Sequence, residues 1–203
     1  IVLDAAQDTA TITLPAGTIE KTDGNAVFTV ANVMSLNGEM LNTYTGTVSV
    51  VDNVKPVLNS ATLNNDGTVS IGFDETLAAG PDADDLKVTV NGVDLATTAY
   101  TVTPITVGAE AGKYLLTVNG LVDNGTDGKS GGDDDILYVD VNGNGVYNAG
   151  TDIVVTTGNV TAGTVSLKNA VFTSVKVGTV ASPNTGKDAD NNFLKGNVVL
   201  TVK

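Results

Sequence analysis

The chain has 203 residues, 41% of them hydrophobic, and a formal net charge of −13. Its acidic residues are 19 Asp and 4 Glu, its ten basic residues are all Lys, and it contains no Arg, His, Cys or Trp. This composition excludes thiolate, disulfide and His-based nucleophilic chemistry, and it argues against nucleic acid or an anionic membrane as a partner. No apolar run approaches the ~18–20 residues that a membrane-spanning helix needs, so we expect no membrane insertion.

The residue pattern along the chain predicts an all-β fold. Asp favours turns and caps whereas Glu and Arg favour helices, so the excess of Asp over Glu argues against a helical architecture. Thr occurs 29 times, and alternating runs such as Val69-Ser-Ile71-Gly-Phe73 place apolar side chains on one face of a strand. In chain order, the predicted strands are residues 10–14, 27–31, 47–50, 69–73, 86–90, 100–103, 114–118, 136–139, 153–156, 163–167, 171–177 and 198–202.

Turn signals separate these strands at short, regular spacing. Asn64-Asn-Asp66-Gly67, Asn91-Gly92 and Asn119-Gly120 combine residues that tolerate positive φ. Strands at this spacing predict an all-β fold of Greek-key β-sandwiches.

A repeated pentapeptide and a linker-like segment suggest two parts. Asn25-Ala-Val-Phe-Thr29 recurs as Asn169-Ala-Val-Phe-Thr173, and a strand-like run follows each copy within about 30 residues. Between the copies, Asp52-Asn-Val-Lys-Pro56 is typical of an inter-domain linker. We therefore expect residues 1–52 to be the C-terminal part of one sandwich and residues 53–203 to be a complete, enlarged second one with an acidic insertion. A further split near residue 125 stays open, and the first residue, Ile1, suggests a piece of a longer protein.

Three runs carry a resemblance to a known family. Asp52-Asn-Val-Lys-Pro-Val-Leu-Asn-Ser-Ala-Thr-Leu63, then Asp66-Gly-Thr-Val-Ser-Ile-Gly-Phe-Asp-Glu-Thr-Leu77 and Tyr114-Leu-Leu-Thr-Val-Asn-Gly-Leu-Val-Asp-Asn-Gly125, resemble the bacterial Ig-like domains of Gram-positive surface-layer (S-layer) proteins. The resemblance covers about two thirds of the chain. It implies tandem Ig-like Greek-key β-sandwich domains, with residues 1–52 the C-terminal part of one Ig-like domain and residues 53–203 an enlarged second one. It also implies an extracellular, cell-surface protein that self-assembles with identical subunits and with neighbouring Ig-like domains, and in which calcium stiffens the domains. The alternative from another class is an adhesin stalk or an accessory binding module of a secreted enzyme.

The most informative candidate site lies in an acidic stretch between Asp123 and Asp152, which contains seven Asp and one Lys. Its last part, DVNGNGVYNAGTD, places oxygen-bearing side chains at alternate positions before a glycine turn. Calcium takes six to eight oxygen ligands around such a turn. The predicted ligands are Asp140, Asn142, Asn144, the carbonyl of Val146, Asn148 and Asp152.

Two features of this loop depart from an EF-hand-type loop. Asn144 stands where Asp is more usual, and the closing acid is an Asp one residue later than the usual Glu. Lower ligand charge and a shorter closing arm predict a dissociation constant of about 10⁻⁴ to 10⁻³ M. The competing interpretation is a hairpin in which Asn and Gly only supply positive φ. A dinucleotide-binding loop is excluded because the third glycine and the following helix are missing.

Other acidic clusters are candidate cation sites of lower specificity. Asp133 and Asp135 precede a predicted strand, and Asp188 and Asp190 form a second cluster. Each cluster could equally be a solvated acidic loop. Asp52, beside the linker, could join Asp74 or Glu75 in a calcium site that bridges the two parts.

Catalysis has few residues available in this chain. Without His or Cys, the remaining possibility is a carboxylate pair of the glycosidase kind. The absence of Trp and the few aromatic residues argue against a sugar-binding platform, so we expect no enzyme. The four Phe, with most of the five Tyr, are better interpreted as core and strand-packing residues.

Overall fold

A computed structural model describes residues 1–6, 8–20, 24–129, 131–168 and 172–202 of the chain. The described residues form strands and short 3-10 turns and no α-helix, so the all-β prediction is confirmed. None of their helical segments has the length and apolarity that crossing a membrane requires. The strands are β1 Val2–Leu3, β2 Ala10–Thr11, β3 Asn25–Val30, β4 Tyr44–Ser49, β5 Leu58–Leu63, β6 Val69–Phe73, β7 Leu86–Val90, β8 Val93–Asp94, β9 Tyr100–Pro104, β10 Tyr114–Asp123, β11 Ile136–Val139, β12 Ile153–Thr157, β13 Gly163–Val165, β14 Val175–Thr179 and β15 Val199–Thr201.

The chain divides into two compact units, Ile1–Lys55 and Pro56–Lys203. In the N-terminal unit, β1 pairs with β2 and β3 pairs with β4, both antiparallel. Across the longer pair, the ring of Phe28 lies over Gly46, where an added Cβ would be 2.7 Å from Phe28 Cζ. The described residues of this unit therefore pair as two two-stranded ladders. That residues 1–52 and 53–203 belong to Ig-like domains stays a prediction.

The C-terminal unit contains two antiparallel sheets. One has the order β12-β11-β10-β6-β5, and β9 and β13 also pair with β10. The other has the order β15-β14-β7-β8. The long strand β10 organises the first sheet, because its first half pairs with β6 and β9 and its second half pairs with β11 and β13.

Both sheets contribute alternate side chains to one core. In β7 the residues Leu86, Val88 and Val90 are buried whereas Lys87 is exposed, which is the period of two expected for a half-buried strand. Leu116 of β10 belongs to the same cluster. These features are consistent with a β-sandwich, in which burial of apolar side chains supplies the dominant stabilisation.

The predicted strands agree with the observed ones best where apolar residues alternate clearly. The bounds at Val69–Phe73, Leu86–Val90 and Ile136–Val139 match the prediction. Strand β5 was not predicted, because Leu58-Asn-Ser-Ala-Thr-Leu63 has weak β-propensity and forms a strand by pairing with β6. Of the predicted strand 171–177, residue 171 lies outside the described residues.

One predicted turn is wrong. Asn119-Gly120 lies inside β10 and pairs with Thr164 and Gly163 of β13. The glycine serves close packing here, since an added Cβ would lie 2.7 Å from Leu137 Cδ1 and 2.8 Å from Val165 Cγ2. By contrast, Asn91-Gly92 does form the two-residue turn between β7 and β8, with φ of 52° and 84°.

Strands β11 and β12 form the hairpin that carries the acidic stretch. They pair antiparallel, with a register irregularity between Leu137 and Tyr138. The connection between them runs from Asp140 to Asp152, which is long for a hairpin loop and contains no secondary structure of its own. Loops of this length without secondary structure are uncommon in compact domains and are usually either functional or linker segments.

Candidate metal centre

The loop between β11 and β12 closes around the carboxylate of Asp140. This side chain is only 5% exposed. Its Oδ1 accepts hydrogen bonds from the backbone of Gly143 at 2.7 Å and Asn144 at 3.3 Å, and its Oδ2 accepts from Gly145 at 2.6 Å. Gly143 and Gly145 have φ of 73° and 75°, a conformation that glycine adopts without strain and that turns successive N–H groups inward.

A second buried carboxylate, Asp152, closes the other end of the loop. It is 8% exposed. Its Oδ1 accepts from the backbone of Val141 at 3.0 Å, and its Oδ2 accepts from the backbone of Asn148 at 2.7 Å. The two ends of the loop are thus joined through an acid that immediately precedes β12.

Three Asn side chains lie between these carboxylates. The Nδ2 groups of Asn142 and Asn144 donate to Asn148 Oδ1 at 3.0 Å and 2.7 Å. Asn142 Oδ1 accepts from the backbone of Asn144, and Asn144 Oδ1 accepts from the backbone of Val146. The structure therefore brings the five predicted ligand side chains into one hydrogen-bonded loop. The side chain of Val146, whose carbonyl was the sixth predicted ligand, is exposed.

An aromatic contact anchors this loop to the sheet, and the sequence alone did not predict it. The ring of Tyr147 lies 5.3 Å from the ring of Tyr138, which is 2% exposed. The loop also packs closely at Gly143, where an added Cβ would lie 2.9 Å from Thr98 Oγ1. A cavity of about 230 Å³ beside the loop is lined by Thr98, Asn119, Asp140, Gly143 and Gly145, among others.

The oxygen atoms of the loop side chains suit a hard cation. The side-chain atoms that could bind a metal ion here are carboxylate and amide oxygens, which is the ligand type that calcium prefers. Each of these oxygens has two lone pairs, so Asp140 Oδ2 and both oxygens of Asp152, which each accept one N–H, can still coordinate an ion. Asp140 Oδ1 and Asn148 Oδ1 each already accept two N–H groups. None of the seven Asp between Asp123 and Asp152 pairs with a described lysine. The negative charge of this region has no compensating cation among the described side chains.

The cluster Asp133-Asp134-Asp135 lies directly before β11. Asp133 and Asp134 are exposed, whereas Asp135 is fully buried. Asp134 Oδ2 accepts from the backbone N–H and the hydroxyl of Thr126 at 2.7 Å and 2.8 Å. These hydrogen bonds hold the pKa of Asp134 below its usual value, so its carboxylate stays ionised at neutral pH.

The third predicted cluster forms a tight turn. Asp188 is 2% exposed and accepts from the backbone of Asp190 and of Asn192. Asp190 itself is exposed. A carboxylate oxygen of Asp188 lies within 4.8 Å of one of Glu75. Asp52 belongs to the N-terminal unit, where it accepts from Val54 N–H, and its predicted bridging role stays a prediction.

No protein-family model matches this chain, and neither a curated protein nor a solved structure matches it.

Proposed function

We propose that this chain is a structural component of a bacterial cell-surface layer, built from tandem Ig-like Greek-key sandwiches that calcium makes rigid. In this proposal the protein is extracellular, associates with identical subunits and catalyses no reaction. The resemblance of the runs beginning at Asp52, Asp66 and Tyr114 to S-layer Ig-like domains supports the identity, and the two packed sheets of the C-terminal unit are compatible with it.

One observation carries the calcium part of the proposal. The 140–152 loop holds two buried carboxylates and three amide side chains together at the end of a hairpin. A hairpin turn alone needs only residues that tolerate positive φ, whereas this loop concentrates five oxygen-bearing side chains. Backbone N–H groups already hydrogen-bond both buried carboxylates, and a bound cation would in addition compensate their negative charge.

The mechanical role follows from the position of the loop. Asp140 follows β11 directly and Asp152 precedes β12 directly, so an ion bound by both would tie the ends of the two strands together. The ion would also offset two of the negative charges that repel one another in this stretch. Calcium would therefore convert a long connection into a rigid one, which suits a load-bearing surface protein.

Thermal unfolding with and without calcium tests the metal. Ca²⁺ at about 10 mM should raise the melting temperature by roughly 3–10 °C over the chelated protein, given the expected affinity and chain length. Asp140→Asn and Asp152→Asn, which keep the side-chain shape, should each remove most of this shift. Asp84→Asn is the matched control, because its side chain is exposed and lies in none of the candidate cation sites. A wild-type melting curve that is the same in Ca²⁺ and in EGTA would refute the calcium role.

Terbium offers a test that does not depend on stability. Tb³⁺ occupies calcium sites and emits when a nearby tyrosine is excited, and Tyr147 lies within the loop. We expect tyrosine-sensitised emission that Ca²⁺ displaces, that Asp140→Asn abolishes and that Tyr147→Phe weakens. Emission that survives Asp140→Asn and Asp152→Asn would locate the ion elsewhere.

Electron microscopy of the parent protein tests the surface-layer part. A lattice-forming protein should give two-dimensional sheets with Ca²⁺ and isolated particles in EGTA. Isolated rods under both conditions would instead support the adhesin-stalk alternative.

A further inference from the structure

Strands β3 and β4 of the N-terminal unit pair with each other and, among the described residues, with no other strand. The pairing continues beyond both strands. Val50 N–H donates to Gly24 O at 3.2 Å, and Leu41 N–H donates to Val33 O at 2.7 Å. Residues 24–50 therefore form one long hairpin, the β3–β4 hairpin. Two strands alone are marginally stable in water, unless further strands or a second layer pack against them.

One face of the β3–β4 hairpin is apolar. Side chains alternate between the two faces of a strand, and the cross-strand pair of Phe28 with Gly46 belongs to this face. The ring centroids of Phe28 and Tyr44 lie 5.9 Å apart, and an added Cβ on Gly46 would lie 2.7 Å from Phe28 Cζ and 3.0 Å from Tyr44 Cε1. The apolar face consists of Ala26, Phe28, Val30, Tyr44, Gly46 and Val48. The tyrosine hydroxyl is its one polar side-chain group.

The opposite face of the hairpin is mostly polar. Thr29 and Thr45 form a cross-strand pair there, and their hydroxyl oxygens are 3.4 Å apart. The other members of this face are Asn25, Val27, Thr47 and Ser49. Water can hydrogen-bond most of these side chains, so the hairpin has one face that suits solvent and one that favours burial.

The apolar face is nevertheless partly open to solvent. Tyr44 is 56% exposed, Val48 is 50% exposed and Phe28 is 37% exposed. Large apolar side chains continue towards the tip of the hairpin, where Met34 is 63% exposed and Leu36 is 99% exposed. Monomeric proteins rarely leave a large contiguous apolar patch exposed, and such patches mark sites of interaction.

The distribution of charge indicates which partner fits this face. The whole chain carries a net charge of −13, and 16% of its residues are charged. The β3–β4 hairpin contains one charged residue, Glu39, and the apolar face contains none. Two copies of so acidic a chain repel each other over most of their surfaces, whereas two apolar faces can meet without opposing like charges. A strongly charged partner, by contrast, would find no opposite charge on this face.

We propose that a second copy of this chain docks its apolar face on this one, so that two β3–β4 hairpins pack as two layers about a two-fold axis. In such an isologous contact the same patch of both copies is buried, which matches apolar surface with apolar surface. The inference rests on the self-association in the proposed function, and it names a surface for one of the contacts. None of the candidate calcium ligands lies in residues 24–50, so this contact needs no metal.

Sedimentation equilibrium of the 203-residue chain tests this contact. The wild-type chain should show a monomer–dimer equilibrium in EGTA as well as in Ca²⁺. Phe28→Asp and Val48→Asp each place a charge in the apolar face and should raise the dissociation constant of the dimer at least about tenfold. Thr29→Asp adds the same charge on the opposite face of the same hairpin. This matched control should change the constant by less than about threefold.

A second measurement covers the case in which a charged variant unfolds the hairpin. The chain contains no Cys, so Val48→Cys and Thr47→Cys each introduce a single thiol. Alkylation of the Val48→Cys thiol should slow as the protein concentration rises through the dissociation constant, because the dimer covers the apolar face. Alkylation of the Thr47→Cys thiol, on the opposite face, should not depend on concentration. Circular dichroism of each variant checks the fold.

The outcomes distinguish this surface from the proposed function. A dimer that Phe28→Asp and Val48→Asp leave intact, or that Thr29→Asp weakens equally, would overturn the apolar face as the contact and leave self-association in place. A wild-type chain that stays monomeric at its highest soluble concentration would also overturn it and would favour a different polypeptide as the cover of the face. Two-dimensional sheets of the parent protein in electron microscopy would then still support the surface-layer proposal.

Discussion

The Phe of the repeated pentapeptide lies in different environments in the two units of the chain. In the N-terminal unit, Asn25-Ala-Val-Phe-Thr29 lies in strand β3, and Phe28 is 37% exposed in a two-stranded ladder. In the C-terminal unit, the Phe of the second copy is Phe172, which is 8% exposed and belongs to the main core. Residues 169–171 of this copy lie outside the described residues. The environment rather than the local sequence determines whether this Phe is a core residue.

The exposure of large hydrophobic residues differs between the two units in the same way. Fifteen of the twenty-one exposed large hydrophobic residues in the described part of the chain lie in the N-terminal unit. All the buried hydrophobic residues in the described part of the chain lie in the C-terminal unit. An isolated two-stranded ladder is at best marginally stable in water, whereas two packed sheets can bury a core. We therefore expect the C-terminal unit to carry most of the stability.

The largest expected difference in the free energy of unfolding is between substitutions of Phe172 and of Phe28. Phe172→Ala should lower the free energy of unfolding by about 3–5 kcal/mol, since it leaves a cavity in the core. Phe28→Ala removes only a cross-strand contact and the cover over Gly46, and it should cost about 0.2–1 kcal/mol. Urea unfolding followed by circular dichroism measures both, and hydrogen exchange of the β7 and β14 amides assigns the transition to the C-terminal unit. Similar losses in the two variants would show that Phe28 is also a core residue.

A smaller difference in the free energy of unfolding is expected between substitutions of two polar side chains. Each of them accepts backbone hydrogen bonds from a loop that is distant in sequence. Asp85, fully buried, accepts backbone hydrogen bonds from Asn184, Thr185 and Gly186. Asn53 in the N-terminal unit accepts similarly from Gly17, Thr18 and Ile19. Asp85→Ala should cost about 1–3 kcal/mol, because it leaves buried donors unsatisfied.

Asn53→Ala should cost less, because the Gly17 and Thr18 donors it would release are solvent-exposed. Urea unfolding of both variants provides the comparison. A larger loss for Asn53→Ala would contradict the view that stability is concentrated in the C-terminal unit.

The smallest expected effect involves a buried tyrosine. Tyr100 is 2% exposed, and its hydroxyl lies within hydrogen-bond distance of the carbonyls of Ala83 and Leu86. Burial, with the nearby charges of Asp84 and Asp82, raises the pKa of Tyr100 to about 12. Tyr100→Phe should cost about 0.5–1.5 kcal/mol at neutral pH.

The same pKa gives this residue a characteristic pH dependence. Because its pKa in the folded protein exceeds that of the unfolded chain, its contribution is complete below pH 10 and is lost as pH rises towards 12. Melting temperatures between pH 8 and 12 should fall less steeply in Tyr100→Phe than in the wild type. Tyr44→Phe, at an exposed position of the N-terminal unit, should follow the wild-type curve.

The sequence was most informative where a local pattern is sufficient to specify structure. Alternation located β6, β7 and β11, since a strand with one buried face repeats every two residues. The turn at Asn91-Gly92 was predictable because few residues tolerate positive φ. The buried Asp85 was missed, although its place in the capping box that begins at Asp82 was a usable signal.

For the candidate sites, the sequence by itself determined the order of the ligands along the 140–152 loop. Their regular spacing ensured that one turn could gather them. Only the tertiary structure decided that Asp140 and Asp152 are buried and that Tyr147 lies against Tyr138. It also decided that Asp135 is buried, whereas Asp133 and Asp134 beside it are exposed. Burial depends on how distant segments pack, and a run of Asp looks the same in sequence whether its carboxylates are buried or exposed.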